Sequence, residues 1–221
     1  PQIERSTISL MPPGQLQALT QPEVRDLIAY LRGAQQVPMA ASPETLPFFF
    51  DGLSLAGWDA NPAVWSVENG EIVGRSAAGL AKNSFAVGPL RLGDFRLRLQ
   101  VRLPEDSNNG GIQFRSAPLP DGEMRGYQAD VGAGWWGKLY EESARGLLVD
   151  TPAGTAAVKP GQWNEYEIEA RGAHIRLTIN GKVTAELDDP QGARSGIVGL
   201  QLHSGGPAEI RYRNFRIELL D

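Results

Sequence analysis

From Phe95 to Leu103 every second residue is apolar: Phe95, Leu97, Leu99, Val101 and Leu103 alternate with Arg96, Arg98, Gln100 and Arg102. A period of two belongs to a β-strand with one face in a core and the other in water. The period returns downstream. Tyr166, Ile168 and Ala170 alternate with Glu165, Glu167 and Glu169, and Ile175, Leu177 and Ile179 alternate with His174, Arg176 and Thr178. Asn180-Gly181 then leads into Val183, Ala185 and Leu187, which predicts a type I′ hairpin turn. The apolar phase slips between Tyr212 and Phe215, which predicts a β-bulge near Asn214. From Leu46 onward the chain reads as about ten or more short strands punctuated by Gly and Pro, an all-β antiparallel sandwich or jelly roll.

Residues 1–33 follow a different period. Thr20-Gln-Pro-Glu23 is a capping box, in which the Thr hydroxyl and the Glu carboxylate each satisfy an N–H of the first turn. Val24, Leu27, Ile28 and Leu31 recur at helical spacing before Gly33, predicting one amphipathic helix over about residues 21–32. Residues 34–45 hold Pro38 and Pro43 among small residues and read as a linker. The expected organisation is therefore 1–33 helical, 34–45 linker and 46–221 sandwich.

Composition removes several functions. The formal net charge of −5 argues against nucleic acid as the main partner, since a phosphate backbone needs a basic surface. No run of 18 apolar residues spans a membrane. Cysteine is absent and histidine is limited to His174 and His203, which excludes disulfides, thiolate nucleophiles and histidine-rich zinc sites. No G-x-S-x-G nucleophile motif occurs. Glu165, Glu167 and Glu169 alternate too cleanly with core residues to be the paired carboxylates of an ordinary glycosidase. Asp106-Ser-Asn-Asn109 and Asp188-Asp189 could hold a divalent metal, calcium, through oxygen ligands, although loops use the same residues routinely. The chain opens on Pro1 without a signal-like segment, as a piece of a longer precursor would.

Four segments depart from the Arg, Glu and Thr of ordinary solvated faces. Gln113 and Arg115 share a face opposite Ile112 and Phe114; Gln128 and Asp130 share one; so do Trp136, Lys138 and Tyr140, with Glu142 following; so do Gln201 and His203. Long amides, an acid, a base and aromatics at alternate positions suit a sheet face that hydrogen-bonds hydroxyls and stacks on a sugar ring. The same pattern also fits a solvated sheet face with Trp135 and Trp136 in the core.

The ordered series Phe50-Asp-Gly-Leu-Ser-Leu-Ala-Gly-Trp58, Trp65-Ser-Val-Glu-Asn-Gly-Glu-Ile-Val-Gly74, Asn109-Gly-Gly-Ile-Gln-Phe-Arg115, Gly126-Tyr-Gln-Ala-Asp130, Gly137-Lys-Leu-Tyr140, Gln162-Trp-Asn164, Asn180-Gly181, Gly199-Leu-Gln-Leu-His203 and Tyr212-Arg-Asn-Phe-Arg216 resembles the 3-keto-disaccharide hydrolase family. That family is also described as 3-keto-glucoside lyase/hydratase. The resemblance implies a concanavalin A-like sandwich, a carbohydrate substrate, and cleavage by elimination and hydration. It leads us to expect Asp130 or His203 as the base, Arg115 or Lys138 as the oxyanion stabiliser, and Tyr140 or Glu142 as the acid. Gln113, Tyr127, Gln128, Trp136 and Gln201 are expected to position the sugar, on the concave face of one sheet. The alternative is a carbohydrate-binding module without catalysis. Separately, Ser9-Leu-Met-Pro-Pro13, the capped helix and Gln36-Val-Pro38 resemble the C-terminal end of a c-type cytochrome domain, in which Met11 would match the axial haem ligand. Without Cys-x-x-Cys-His no covalent haem is expected. That resemblance implies an extracytoplasmic bacterial protein whose partner is the rest of a cytochrome domain.

Overall fold

The computed structural model describes residues 14, 16–32, 38–105 and 108–220. Residues 1–37 and 38–221 form separate units. In the first, helix α1 spans Gln21–Arg32. The capping box is made: Thr20 Oγ1 accepts the Glu23 N–H at 3.4 Å, and Glu23 Oε2 accepts the Thr20 N–H at 2.6 Å. Met11 and the Ser9–Pro13 segment lie outside the described residues, as does Asp106. No helix among the described residues is long and apolar enough to cross a membrane.

The second unit is built from short strands. In chain order they are β1 (Met39–Ala40), β2 (Asp59–Ala60), β3 (Trp65–Glu68), β4 (Glu71–Ser76) and β5 (Ser84–Leu92). Then come β6 (Phe95–Arg102), β7 (Asn109–Pro118), β8 (Met124–Gly132), β9 (Leu139–Glu142) and β10 (Gly146–Val149). After the one-turn helix α2 (Ala153–Ala157) follow β11 (Asn164–Arg171), β12 (His174–Ile179), β13 (Lys182–Asp188), β14 (Gly196–Leu202) and β15 (Ala208–Leu219). One sheet runs β1-β5-β14-β7-β8-β9-β10, with β2 also on β5. The other runs β13-β12-β11-β6-β15-β4-β3. All pairs are antiparallel except β1 with β5.

The alternation found in the sequence sets which side chains meet between the sheets. Leu97, Leu99 and Val101 of β6, Tyr166 and Ile168 of β11, and Leu177 of β12 are buried against Ile112, Phe114, Ala129, Val131, Leu200 and Leu202 of the other sheet. The opposite face of the second sheet is a ladder of ion pairs such as Arg96–Glu169 at 2.6 Å and Arg176–Glu186 at 2.6 Å. Glu167 and Glu169 are spent there. Asn180 and Gly181 both carry positive φ, 49° and 79°, as the type I′ turn requires. The bulge falls where the phase slips: Asn214 has φ 57° and the β15–β6 register shifts between Arg213 and Arg216.

The segment read as a linker is partly sandwich. Met39 and Ala40 pair in parallel with Leu90 and Arg91, and the Ala41 N–H donates to Arg91 O at 3.0 Å. Joining a sheet edge takes only backbone groups, so nothing in a Pro-rich composition announces it.

Candidate functional site

Register, not sequence proximity, assembles the polar residues on the outer face of the first sheet. Gln201 of β14 stands opposite Gly111 of β7, which stands opposite Asp130 of β8. The next row is Gly199, Gln113, Gln128 and Tyr140. Side chains in one row, and two residues apart on one strand, share a face. That face is polar yet buried: Gln113 and Gln201 are 0% exposed, Gln128 3% and Asp130 4%.

A hydrogen-bonded chain fixes it. Ser116 Oγ donates to Gln113 Oε1, Gln113 Nε2 to Gln128 Oε1, and Gln128 Nε2 to Asp130 Oδ1, each at 2.7 Å. Gly111 makes room for this chain, since a Cβ there would stand 2.5 Å from Gln128 Cδ. The core pins the same strands from beneath. Tyr166 Oη donates to Asp130 O at 3.2 Å, and Tyr212 Oη bonds Gly111 O at 3.1 Å and Gln201 O at 3.2 Å.

Two acceptors on this face have no partner: Asp130 Oδ2 and Gln201 Oε1. Burial, reinforced by the charge of Glu142 and opposed by the Gln128 bond and by Lys138, pushes the Asp130 carboxyl up to about 7. Glu142 is also raised, by burial first and then by the charge of Glu123, while its contact with Gln201 Nε2 at 3.5 Å works the other way. Glu123 is tied to Asn83 Nδ2 at 3.1 Å, and Asn83 Oδ1 accepts the Ser204 N–H at 2.9 Å. His203 lies just past β14 and is exposed. Its Nδ1 bonds Ser204 O at 2.7 Å. Because a carbonyl only accepts, Nδ1 is the donor in this contact.

Three expected residues point elsewhere. Arg115 does not share the face of Gln113, because the β7–β8 register shifts after Phe114 and Arg115 takes φ 45°. Its guanidinium, wholly buried, bonds Asp94 Oδ1 at 2.7 Å and the carbonyls of Gly93, Gly172 and Ala193 at 3.0, 2.8 and 3.3 Å. Tyr127 faces the core, stacked on Phe114 with ring centroids 5.4 Å apart, and its hydroxyl donates to Asp189. Burial and that carboxylate push it up to about 12. Trp136 is a core residue. Residues 133–137 form a turn rather than a strand, so alternation does not apply to them. Trp135 is the exposed one of the pair.

Trp136 is also clamped through its backbone: a Cβ on Gly154 of α2 would stand 1.7 Å from Trp136 O. Gly154→Ala should therefore force this contact apart and cost about 1–3 kcal/mol or more, read as a lower urea midpoint with an unchanged slope.

Of the acidic loops considered for calcium, Asp188-Asp189 is otherwise engaged. Asp188 bonds His174 Nδ1 at 2.9 Å. Asp189 is held by Arg145 and Tyr127, and Arg145 in particular brings its carboxyl down to about 2. Among the described residues no group of three or more His, Asp or Glu side chains is placed to hold a metal.

Known proteins bear on this geometry. The fold is similar to a Parabacteroides distasonis protein provisionally described as a glycosyl hydrolase, at TM-score 0.56 and 20% identity over 76% of this chain and 95% of that one. It is similar to the carbohydrate binding module CBM66 of Bacillus subtilis, at TM-score 0.53 and 18% identity over 73% and 95%. A Bacillus subtilis protein of unknown function with a galectin-like fold matches at TM-score 0.56 and 11% identity over 73% and 86%. No curated protein sequence matches the chain. The family model of the 3-keto-alpha-glucoside-1,2-lyase-like domain matches residues 48–218, nearly the whole sandwich, and the chain belongs to that family.

Proposed function

We propose that the outer face of the first sheet cleaves a 3-keto-glucoside by elimination followed by hydration, with Asp130 as the base. The observation that carries this reading is the buried, unpartnered Oδ2 of Asp130. A carbon acid offers no hydrogen bond in the ground state. A base built for one therefore keeps a buried acceptor that no protein donor has taken, at the desolvation cost such an atom carries. Its pKa of about 7 makes the carboxylate a stronger base than a solvated one while leaving it ionised near neutrality.

A ketone at carbon 3 acidifies the hydrogen on carbon 2. Asp130 Oδ2 takes that proton, and the C–H electron pair forms the enolate between carbons 2 and 3. The enolate collapses, restores the ketone and expels the aglycone from carbon 1, leaving a carbon 1–carbon 2 double bond. The departing oxygen takes a proton from Tyr140, which shares a register row with Gln128. Water then adds its hydroxyl to carbon 1 and gives its proton to the Tyr140 oxygen, while Asp130 returns its proton to carbon 2, which restores both side chains. Glu142, whose carboxyl is raised by burial and then by the charge of Glu123, lies where it can hydrogen-bond the oxygen on carbon 3 as charge develops there. Lys138, whose charge favours the Asp130 carboxylate, is the cation beside the reacting atoms now that Arg115 is engaged elsewhere. Gln201 Oε1 awaits a hydroxyl of the sugar.

The test is incubation of the protein with a 3-keto-glucoside and with its unoxidised parent, followed by product analysis. Release of aglycone from the oxidised sugar alone supports the enzyme. Binding of both sugars without any release supports a binding module instead. His203→Ala should retain most of the activity; a loss as large as that of an Asp130 variant would transfer the base to His203.

A further inference from the structure

Trp135 stands at 39% exposure directly beside the site. It lies on a turn bonded to both sides of the Asp130 peptide: the Asp130 N–H donates to Lys138 O, and the Gly137 N–H to Asp130 O, both at 3.1 Å. Trp136 anchors that turn in the core. The Trp135 ring is held as well. Tyr140 meets it edge-on, with centroids 6.4 Å apart at 80°, and Lys138 Nζ lies 5.0 Å from its centroid. Lys138 is itself fixed by Asp150 at 2.7 Å. An aromatic ring immobilised before any ligand arrives loses little entropy on binding one.

The position of this ring relative to Asp130 says what it would hold. The Gln201 backbone stands two strands from Asp130 across Gly111, about 10 Å at the spacing of sheet strands, and its amide reaches across the face to Glu142 of β9 at 3.5 Å. Trp135 and Tyr140 lie beside Asp130 on its β9 side. Carbons 1 and 2 of the sugar are adjacent, so the base marks the boundary between the sugar and its leaving group. Tyr140 protonates the departing oxygen in the proposed reaction and meets the Trp135 ring edge-on, so the leaving group falls beside Trp135.

Resting on the function proposed above, we infer that Trp135, with Tyr140 at its edge, is the aglycone subsite, and that it takes a leaving group with an apolar ring face. An aryl group and the apolar face of a second sugar share that chemistry.

The experiment compares Trp135→Ala and Trp135→Phe with the wild type on three 3-keto-glucosides that differ only in the leaving group: aryl, glucosyl and methyl. Taking the ratio of variant to wild type on each substrate cancels intrinsic leaving ability. Trp135→Ala should lower kcat/KM on the aryl substrate about tenfold, the size of one well-made aromatic contact, mostly through KM, with a several-fold smaller loss on the methyl substrate. Trp135→Phe should recover most of it. A comparable loss on the glucosyl substrate identifies a sugar as the natural leaving group; a loss confined to the aryl substrate identifies an aromatic one. Equal losses on aryl and methyl substrates, or none on any, overturn the subsite. If the wild type turns over none of the three, the function falls, and calorimetric binding of the unoxidised aryl and methyl glucosides decides the subsite. Weaker aryl binding in Trp135→Ala, with methyl binding less affected, supports the subsite, and equal binding by the variant and the wild type overturns it.

Discussion

Asp130→Asn should lose about 10²- to 10⁴-fold in turnover of a 3-keto-glucoside, the range expected for removal of a general base, and at the same time become more stable above neutral pH. The second effect follows from the sign of the pKa shift. The Asp130 carboxyl rises from 3.8 to about 7 on folding. Between those values the folded protein binds a proton that the unfolded chain does not, so stability falls as pH rises through this window and stays low above it. Each pKa unit is about 1.4 kcal/mol, which puts the penalty at about 4 kcal/mol above pH 7. Asparagine carries no charge to bury and can still accept from Gln128. Melting curves of the two proteins should therefore coincide near pH 4 and separate toward pH 8, with the variant melting higher. The acid limb of the wild-type kcat/KM profile should inflect near 7 as Asp130 ionises. A variant that loses activity together with stability at pH 8 would make Asp130 a structural residue instead.

Arg115→Ala should be among the most damaging single changes to the fold, at about 3–5 kcal/mol. It strands Asp94, which also accepts the Gly172 N–H at 2.9 Å, and leaves the carbonyls of Gly93, Gly172 and Ala193 without the donor that joins them. These carbonyls belong to three different turns, so one guanidinium fork ties the β5–β6 turn, the β11–β12 turn and the loop before β14 at one end of the sandwich. Arg115→Lys should recover only part of the loss, because an ammonium cannot reproduce a planar fork with several fixed donors. Urea titration measures both. If Arg115→Ala unfolds at the wild-type midpoint but loses turnover, the arginine works in the site and the assignment to the turns is mistaken.

The amino-acid sequence alone was enough for what depends on a local period. Apolar alternation in 95–102, 166–170 and 175–179 settled strand type and core face, because a residue in an unbroken strand can only point one way or the other. The same parity put Gln113 with Gln128 and Asp130, and Gln201 with them, on the face away from the core. Asn180-Gly181 declared its own turn, and the phase slip before Phe215 its own bulge. Where the period breaks without a visible mark, the reading failed. The bulge after Phe114 turns Arg115 out of phase, and neither neighbouring side chain signals it. Gly132-Ala-Gly134 does signal a turn, and alternation ends there, before Trp135 and Trp136. Tyr127 followed parity into the core even though its hydroxyl suggested otherwise. Which strands lie side by side was decided only by the tertiary structure, since β14 reaches β7 past the six strands that lie between them in the sequence. That pairing brings Gln201 to Glu142 and leaves Asp130 Oδ2 buried without a donor. The shifted pKa of Asp130 is a property of this burial and of charges supplied by other strands, and a linear sequence holds no distance between them.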